Sequence, residues 1–253
     1  MNIQIHITLI AYALPVSPLI RSLGNADVTF HLYRHSNKPE VIADIDSILD
    51  DYNICYHPYG QNRGLAKSWN DGLVESQETG ADVCALVNDD VEATWDDLAI
   101  LARAAVNNRE SGVIECQGFD GNMNRNQSMN FGFCAINPLA IEKIGYFDTN
   151  YWPIYGEDVD FSYRAGLAGV TFYNAGSTSV HHLGSATIKH DLDLKRQNDV
   201  TFPANEAYHA RKWNGGYGHE TYRLPFDSEN FGWRISEEMR NAPYPGYNRT
   251  DLK

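Results

Sequence analysis

Basic residues are scarce in this chain: 20 Lys and Arg stand against 33 Asp and Glu, a formal net charge of −13 over 253 residues. Duplex nucleic acid presents a dense phosphate array, and so acidic a chain matches it only through a local strip of cations. Cysteine is sparse too. Cys55, Cys84, Cys116 and Cys134 lie far apart with no CxxC pair, so they offer no cysteine zinc site and no disulfide framework, and they read as reduced. No stretch approaches the roughly 18–20 apolar residues of a membrane span. The apolar start "MNIQIHITLIAYALPV" lacks a basic n-region and a small-residue cleavage site, so the expected location is cytoplasmic. Also missing are a GxGxxG, a Walker-type loop and the usual nucleophile motifs. What is present is ample core material, 43% hydrophobic and 12% aromatic residues, enough for one large domain or one domain with an appendage.

Up to about residue 115, strand and helix signals alternate. Ile3, Ile5, Ile7 and Leu9 alternate with Gln4, His6 and Thr8, the period of a strand. "DVTFHLY" and "NICYHP" predict further strands, and "DVCALVN" is a continuously apolar run suited to a strand buried on both faces. Between them, "EVIADIDSILDDY", "GLAKSWNDGLVES" and "TWDDLAILARAAVNN" predict helices, the last opened by Thr94 and Asp97 as a capping box. The pattern predicts an α/β fold with helices on both faces of the sheet. Further on, "GFDGNMNRNQSMN" reads as a polar excursion, "MNFGFCAI" and "VTFYN" as strands, and "PLAIEKIG" and "EDVDFSYRAGLAG" as helices. After about Gly184 the chain turns polar, and "PANEAYHARKWNGG" reads as a helix started by Pro203.

Four segments can carry chemistry. "NDDV" (Asn88–Val91) follows the buried strand, where ligands meet an open α/β sheet, and adjacent carboxylates there can offer hard oxygens to Mg²⁺ or Mn²⁺; a solvated turn is the plain alternative. "EDVD" puts Glu157 and Asp158 in a helix first turn, where the dipole alone would account for acids, though a carboxylate held there could also serve as a general base. In "VHHLGSAT", His181 and His182 point to opposite faces of an extended chain, so only one can join a given site. In "NRGLAKSWNDG", backbone amides opening a helix could hold phosphate or ribose, or Asn62 and Gly64 could simply shape the helix start.

In order and spacing these segments resemble glycosyltransferase family 2, inverting enzymes of the GT-A fold. The resemblance runs through "NRGLAKSWNDG", "ADVCALVNDDV", "IEKIGYFDTNYWPIYGEDVDFSYRAGLAG" and "VHHLGSAT", and covers roughly residues 3–187. It implies a Rossmann-like GT-A domain over 1–187, with a donor half 1–115 and an acceptor half 116–187, and a C-terminal extension 188–253 packed on the acceptor side. It implies Asp158 as the base that deprotonates an acceptor hydroxyl, with Glu157 beside it. Asp90 takes the metal-carboxylate place, and His182, or alternatively His181, the place of the metal-binding histidine, for Mn²⁺ or Mg²⁺. Tyr12, Asn62, Gly64, Asn70, Asn88, Asp89 and Arg164 are the donor-side candidates; Trp152 and Tyr155 are the acceptor-side candidates, with Trp213 and Tyr217 as further aromatics. Asp160 reads as a helix-face residue.

The chain departs from the family where a base-recognising Asp is usual: "HLYRHSN" places Tyr33 or Arg34 there. UDP is therefore a first expectation for the donor nucleotide, not a deduction. The expected acceptor is a glycan. A nucleic-acid acceptor is the alternative and would use Lys195, Arg196, Arg211 and Lys212 as its basic strip. Two other classes compete: a silent nucleotide-sugar-binding module on the same fold, and a nucleotidyltransferase, which would show a glycine- and basic-rich loop near the first strand that this chain lacks.

Overall fold

The computed structural model describes residues 3–120, 125–128 and 130–223, with the backbone alone for 125–128. Of the polar stretch 118–130, residues 121–124 and 129 lie outside the described residues, as does the Tyr-, Pro- and Gly-rich tail from 224.

A mixed nine-stranded sheet organises the chain. Its parallel half is β3 (Ile54–His57), β2 (Val28–Arg34), β1 (Ile5–Ala11) and β4 (Val83–Val87), side by side in that order. β8 (Phe133–Ile136) then runs antiparallel to β4 and to β6 (Val113–Phe119). β6 pairs parallel with the eleven-residue β9 (Phe172–His182), which receives the two-residue β5 (Val91–Glu92) at its far end. A short β7 (Arg125–Ser128) leans on β6. β1, β2 and β4 are buried along their whole length, as strands covered on both faces must be.

One face packs under α1 (Ser17–Leu23), α2 (Pro39–Asp46) and α4 (Trp95–Asn107), through Leu19, Ile45, Leu98 and Leu101 against Ile7, Leu9 and Phe30. The other packs under α3 (Leu65–Glu78), α5 (Pro138–Ile144) and α6 (Glu157–Leu167), through Trp69, Leu73, Ile144 and Phe161. The predicted capping box is formed: the Thr94 hydroxyl accepts from the Asp97 N–H, and the Asp97 carboxylate accepts from the Thr94 N–H at 2.9 Å. That carboxylate also accepts from the Ser179 N–H at 2.8 Å, tying α4 to β9.

The C-terminal part departs from the prediction. The stretch read as merely polar forms α7 (Ala186–His190) and the first half of the 22-residue α8 (Leu192–Trp213), so Pro203 lies inside a helix, not at its start. Asp191 caps α8, accepting from the N–H groups of Asp193 and Leu194 at 2.9 Å each. The helix is thus begun twelve positions before the proline, whose absent N–H removes one bond from an already established ladder.

Candidate active site

The carboxyl end of β4 delivers Asn88, Asp89 and Asp90 into a cleft. Asp90 is buried: its Oδ1 lies 3.1 Å from His182 Nε2, and its Oδ2 accepts from the Ala186 N–H at 3.0 Å. Burial alone would raise the Asp90 carboxyl, but His182 and the Ala186 N–H outweigh it and hold the group below its ordinary range. Asp89 shows the opposite balance. Burial, helped by the charge of Asp90, pushes it up to about 7 against the Thr187 hydroxyl, which donates to Oδ1 at 2.6 Å. Its Oδ2 and Asn88 Oδ1 are buried without a hydrogen-bond partner. A hard-oxygen set with one imidazole and unspent acceptors would fit Mg²⁺ or Mn²⁺.

The strand pairing decides which histidine faces this group. Val91 sits opposite His182 and Glu92 opposite His181, so the two rings leave β9 on opposite sides. His182 meets Asp90, whereas His181 lies 3.2 Å from Glu92 and 3.1 Å from the Asp120 carbonyl. Gly132 makes the His182 position possible, because a Cβ there would come within 3.0 Å of the imidazole.

The opposite wall is the start of α6. Tyr155 (φ +77°) and Gly156 (φ +102°) turn the chain through left-handed conformations, and Tyr155 costs about 1–3 kcal/mol to hold so. A side chain at Gly156 would strike Tyr151 and Tyr217 at 2.5 Å. This turn sets Glu157 and Asp158 into the cleft as the first residues of the helix. Burial, then the Asp158 charge, raises the Glu157 carboxyl well above the ordinary range, despite the helix dipole; its Oε2 is buried with no hydrogen-bond partner. Burial also raises Asp158, opposed by backbone N–H groups, among them that of Val159 at 2.8 Å from Oδ1. The Tyr155 hydroxyl bonds Ser185 at 2.8 Å and closes the rim.

The fold has counterparts among solved structures. The mannosyltransferase PcManGT from Pyrobaculum calidifontis, in complex with GDP-Man and Mn²⁺, superposes with a TM-score of 0.52 over 83% of this chain and 62% of its own, at 11% identity. Staphylococcus aureus TarS with UDP gives 0.54 over 81% and 69%, also at 11% identity. Glucosyl-3-phosphoglycerate synthase from Mycobacterium tuberculosis, with Mn²⁺, UDP and glucosyl-3-phosphoglycerate, gives 0.52 over 81% and 80% at 13% identity. The chain has a GT-A fold. In sequence, a galactofuranosyl glycosyltransferase of Leishmania donovani is 37% identical over 115 residues, 44% of this chain. The chain covers only 26% of that relative's length. No family model matches.

Within this GT-A cleft, Tyr12, Asn62, Asn88, Asp89, Asp90, Tyr155, Glu157, Asp158 and His182 come together. Gly64 stands just behind the wall as the N-cap of α3 (φ +87°); Asn62 shapes the turn before it, accepting from the Gly64 N–H at 3.0 Å. A Cβ at Gly64 would lie 2.8 Å from Trp152, so that indole packs against the helix start instead of lining the cleft. Three other expectations are corrected. Asn70 is fully buried and spends its amide on the Phe147 backbone, donating to the carbonyl at 2.8 Å and accepting from the N–H at 2.9 Å. Arg164 is also buried, donating to Asp160 at 2.8 Å and to the carbonyls of Ile144 and Tyr146, so its guanidinium has no reach to a donor. Asp160 is no helix-face residue but a fully buried anchor, bonded to Arg164, Lys212 and Trp213 Nε1.

Of the expected basic strip, Lys212 is buried between Asp148 (2.7 Å) and Asp160 (2.6 Å), while Lys195, Arg196 and Arg211 are exposed, the first two beside Asp199 and Asp193. Tyr33 and Arg34 do not line the cleft either: Tyr33 stacks on His57, and Arg34 bonds Tyr56, Ser36 and Asn37. His35 does line it, with Nε2 2.7 Å from Ser68 Oγ. Ser185, Thr187, Ile188 and Leu194 were not foreseen as cleft residues. They follow His182 within a dozen positions, and the Gly184–Ser185 turn, with Ser185 left-handed, is the local signal that the chain bends back over the site.

Proposed function

We propose that the protein is an inverting glycosyltransferase that moves a sugar from a nucleoside-diphosphate sugar, UDP-linked as first choice, to an acceptor hydroxyl on a glycan. One observation carries this reading: a cation-type pair, Asp90 and His182, and an acid pair, Glu157 with an unpartnered Oε2 and Asp158, line the same cleft at the carboxyl end of the sheet. Asp158 is the base. A carboxylate raised by burial is better matched to a hydroxyl proton near neutral pH than an ordinary aspartate. Beside it, burial and the Asp158 charge raise the Glu157 carboxyl well above its ordinary range, and its unpartnered Oε2 faces the same cleft. Asp90 and His182 would hold Mn²⁺ or Mg²⁺, which when bound offsets the negative charge growing on the departing diphosphate. Asn88 and Asp89 orient the donor, with Tyr12, Asn62 and the α3 N-terminus along its length; Tyr155 faces the acceptor. One displacement by the acceptor oxygen inverts the anomeric carbon and needs no covalent enzyme intermediate.

The test is a screen of nucleotide sugars with Mn²⁺ for binding and slow hydrolysis; failure of every nucleotide sugar to bind would overturn the reading. Within it, Asp90→Ala is expected to remove the Mn²⁺ dependence of donor binding, measured by titrating Mn²⁺ at fixed donor. An unchanged titration would take Asp90 out of the site. His182→Ala should weaken the same titration more than His181→Ala, because only His182 faces Asp90; the reverse order would reassign the ligand.

A further inference from the structure

We propose that His31, His57 and Glu75 form a second metal site, outside the cleft, for a borderline dication such as Zn²⁺. The site goes beyond sugar transfer and stands whether or not that reading holds. His31 lies on β2 and His57 on β3. In the register His31 pairs with Cys55 and Tyr33 with His57, so both imidazoles leave the same face of adjacent strands. Glu75 descends on them from α3, its Oε2 2.8 Å from His31 Nδ1 and 3.0 Å from His57 Nε2. One ligand atom from each residue falls within 4.8 Å of the others. A tetrahedral ion with bonds of about 2.0–2.1 Å holds its ligand atoms about 3.4 Å apart, so the two Glu75–His separations of 2.8 and 3.0 Å would open by about half an ångström to admit it.

Hydrogen bonding alone leaves this cluster incomplete. His57 Nε2 is buried and, although 3.0 Å from the carboxylate, points off line and makes no hydrogen bond. The proximity is electrostatic, and the ring nitrogen remains available for a lone-pair bond. His31 has the support expected of a ligand: with Nδ1 toward the ion, its Nε2 sits 2.9 Å from His6 Nδ1, which can accept its proton and fix the tautomer. The His31 side chain is 2% exposed, whereas His57 and Glu75 are 26% and 34% exposed. The site is therefore anchored in the sheet and open on one side, giving an entry path and room for water as a fourth ligand. Two imidazoles and a carboxylate are a zinc-type donor set. An ion there would pin the edge strand β3 and its neighbour β2 to α3.

The test uses the full chain, stripped with a chelator and titrated with Zn²⁺, and with Co²⁺ as a spectroscopic stand-in. One equivalent should bind with a tetrahedral Co²⁺ spectrum and raise Tm. His57→Gln and Glu75→Gln should each weaken Zn²⁺ binding more than about tenfold, while Asp90→Ala retains it. Nitrogen NMR of the wild-type imidazoles on adding Zn²⁺ reads the ligands without any substitution, and His31 and His57 should shift. No Zn²⁺ binding, binding lost in Asp90→Ala alone, or shifts confined to His181 and His182 would each overturn the proposal.

Discussion

Replacing Asp158 by Asn should lower sugar transfer by about 10²–10⁴-fold, the usual contribution of a positioned general base, while donor affinity and Tm stay at wild-type values. The substitution keeps the volume and the acceptor oxygen that receives the Val159 N–H, so the first turn of α6 has no reason to reorganise. It removes only the ability to take a proton. The pH profile supplies a second, independent readout. Burial raises Asp158, so the acid limb of kcat/KM should lie above the ordinary aspartate value of about 3.9, and it should vanish in the variant. Glu157→Gln is the control: it alters the neighbouring carboxyl and leaves the proposed base in place, and its expected effect is much smaller than that of Asp158→Asn. Full activity in Asp158→Asn, or a larger loss in Glu157→Gln, would move the base assignment off Asp158.

What the sequence made legible was local. The continuously apolar "DVCALVN" was read as a strand covered on both sides, and β4 is that strand; the acids after it, for which a solvated turn was the alternative, line the cleft at its carboxyl end. The choice between His181 and His182 stayed open because alternation places them on opposite faces without saying which face is inward; the pairing with β5 supplies that. β9 read as two fragments because Gly176 (φ +99°) and register shifts against β6 interrupt its pattern. α8 was half invisible for a different reason. Its first turns are polar and exposed, held by the Asp191 cap and by pairs such as Lys195–Asp199, so no apolar period marks them, and Pro203 imitates a helix start. Arg164 pairs with Asp160 at i, i+4, a contact helix spacing allows, but Asp160 was misjudged because its other partners are distant in the chain. Lys212 and Trp213 reach Asp160 from about fifty residues away, and no spacing rule connects them.

That long-range contact leads to the largest stability effect expected. Lys212→Met should destabilise the protein by about 3–5 kcal/mol, the cost of breaking a buried ion pair from one side. Methionine keeps the length of the side chain but leaves the fully buried carboxylates of Asp148 and Asp160 without the ammonium they share. Arg164 and Trp213 still hold Asp160, and Tyr208 still donates to Asp148 at 2.8 Å, so the fold should survive in weakened form and give a measurable urea midpoint. Acid should narrow the difference. Burial raises the Asp160 carboxyl, but Lys212 and Arg164 outweigh it and hold the folded group below its unfolded value. Its stabilisation is therefore present above pH about 3.9 and lost as pH falls further, so the two stability curves should converge toward low pH. Transfer should fall as well. α8 holds the turn before Glu157 through Asn205, whose amide donates to the carbonyls of Ile154 and Tyr155 at 3.0 and 2.9 Å. Loosening α8 at Lys212 frees the loop that aims Asp158. A loss below about 1 kcal/mol, within the range of exposed pairs, would show that the buried pairing contributes no more than a surface contact. Adding Asp148→Asn to Lys212→Met should recover part of the lost stability, because it removes one of the two charges left behind, and a purely additive double variant would break the proposed coupling.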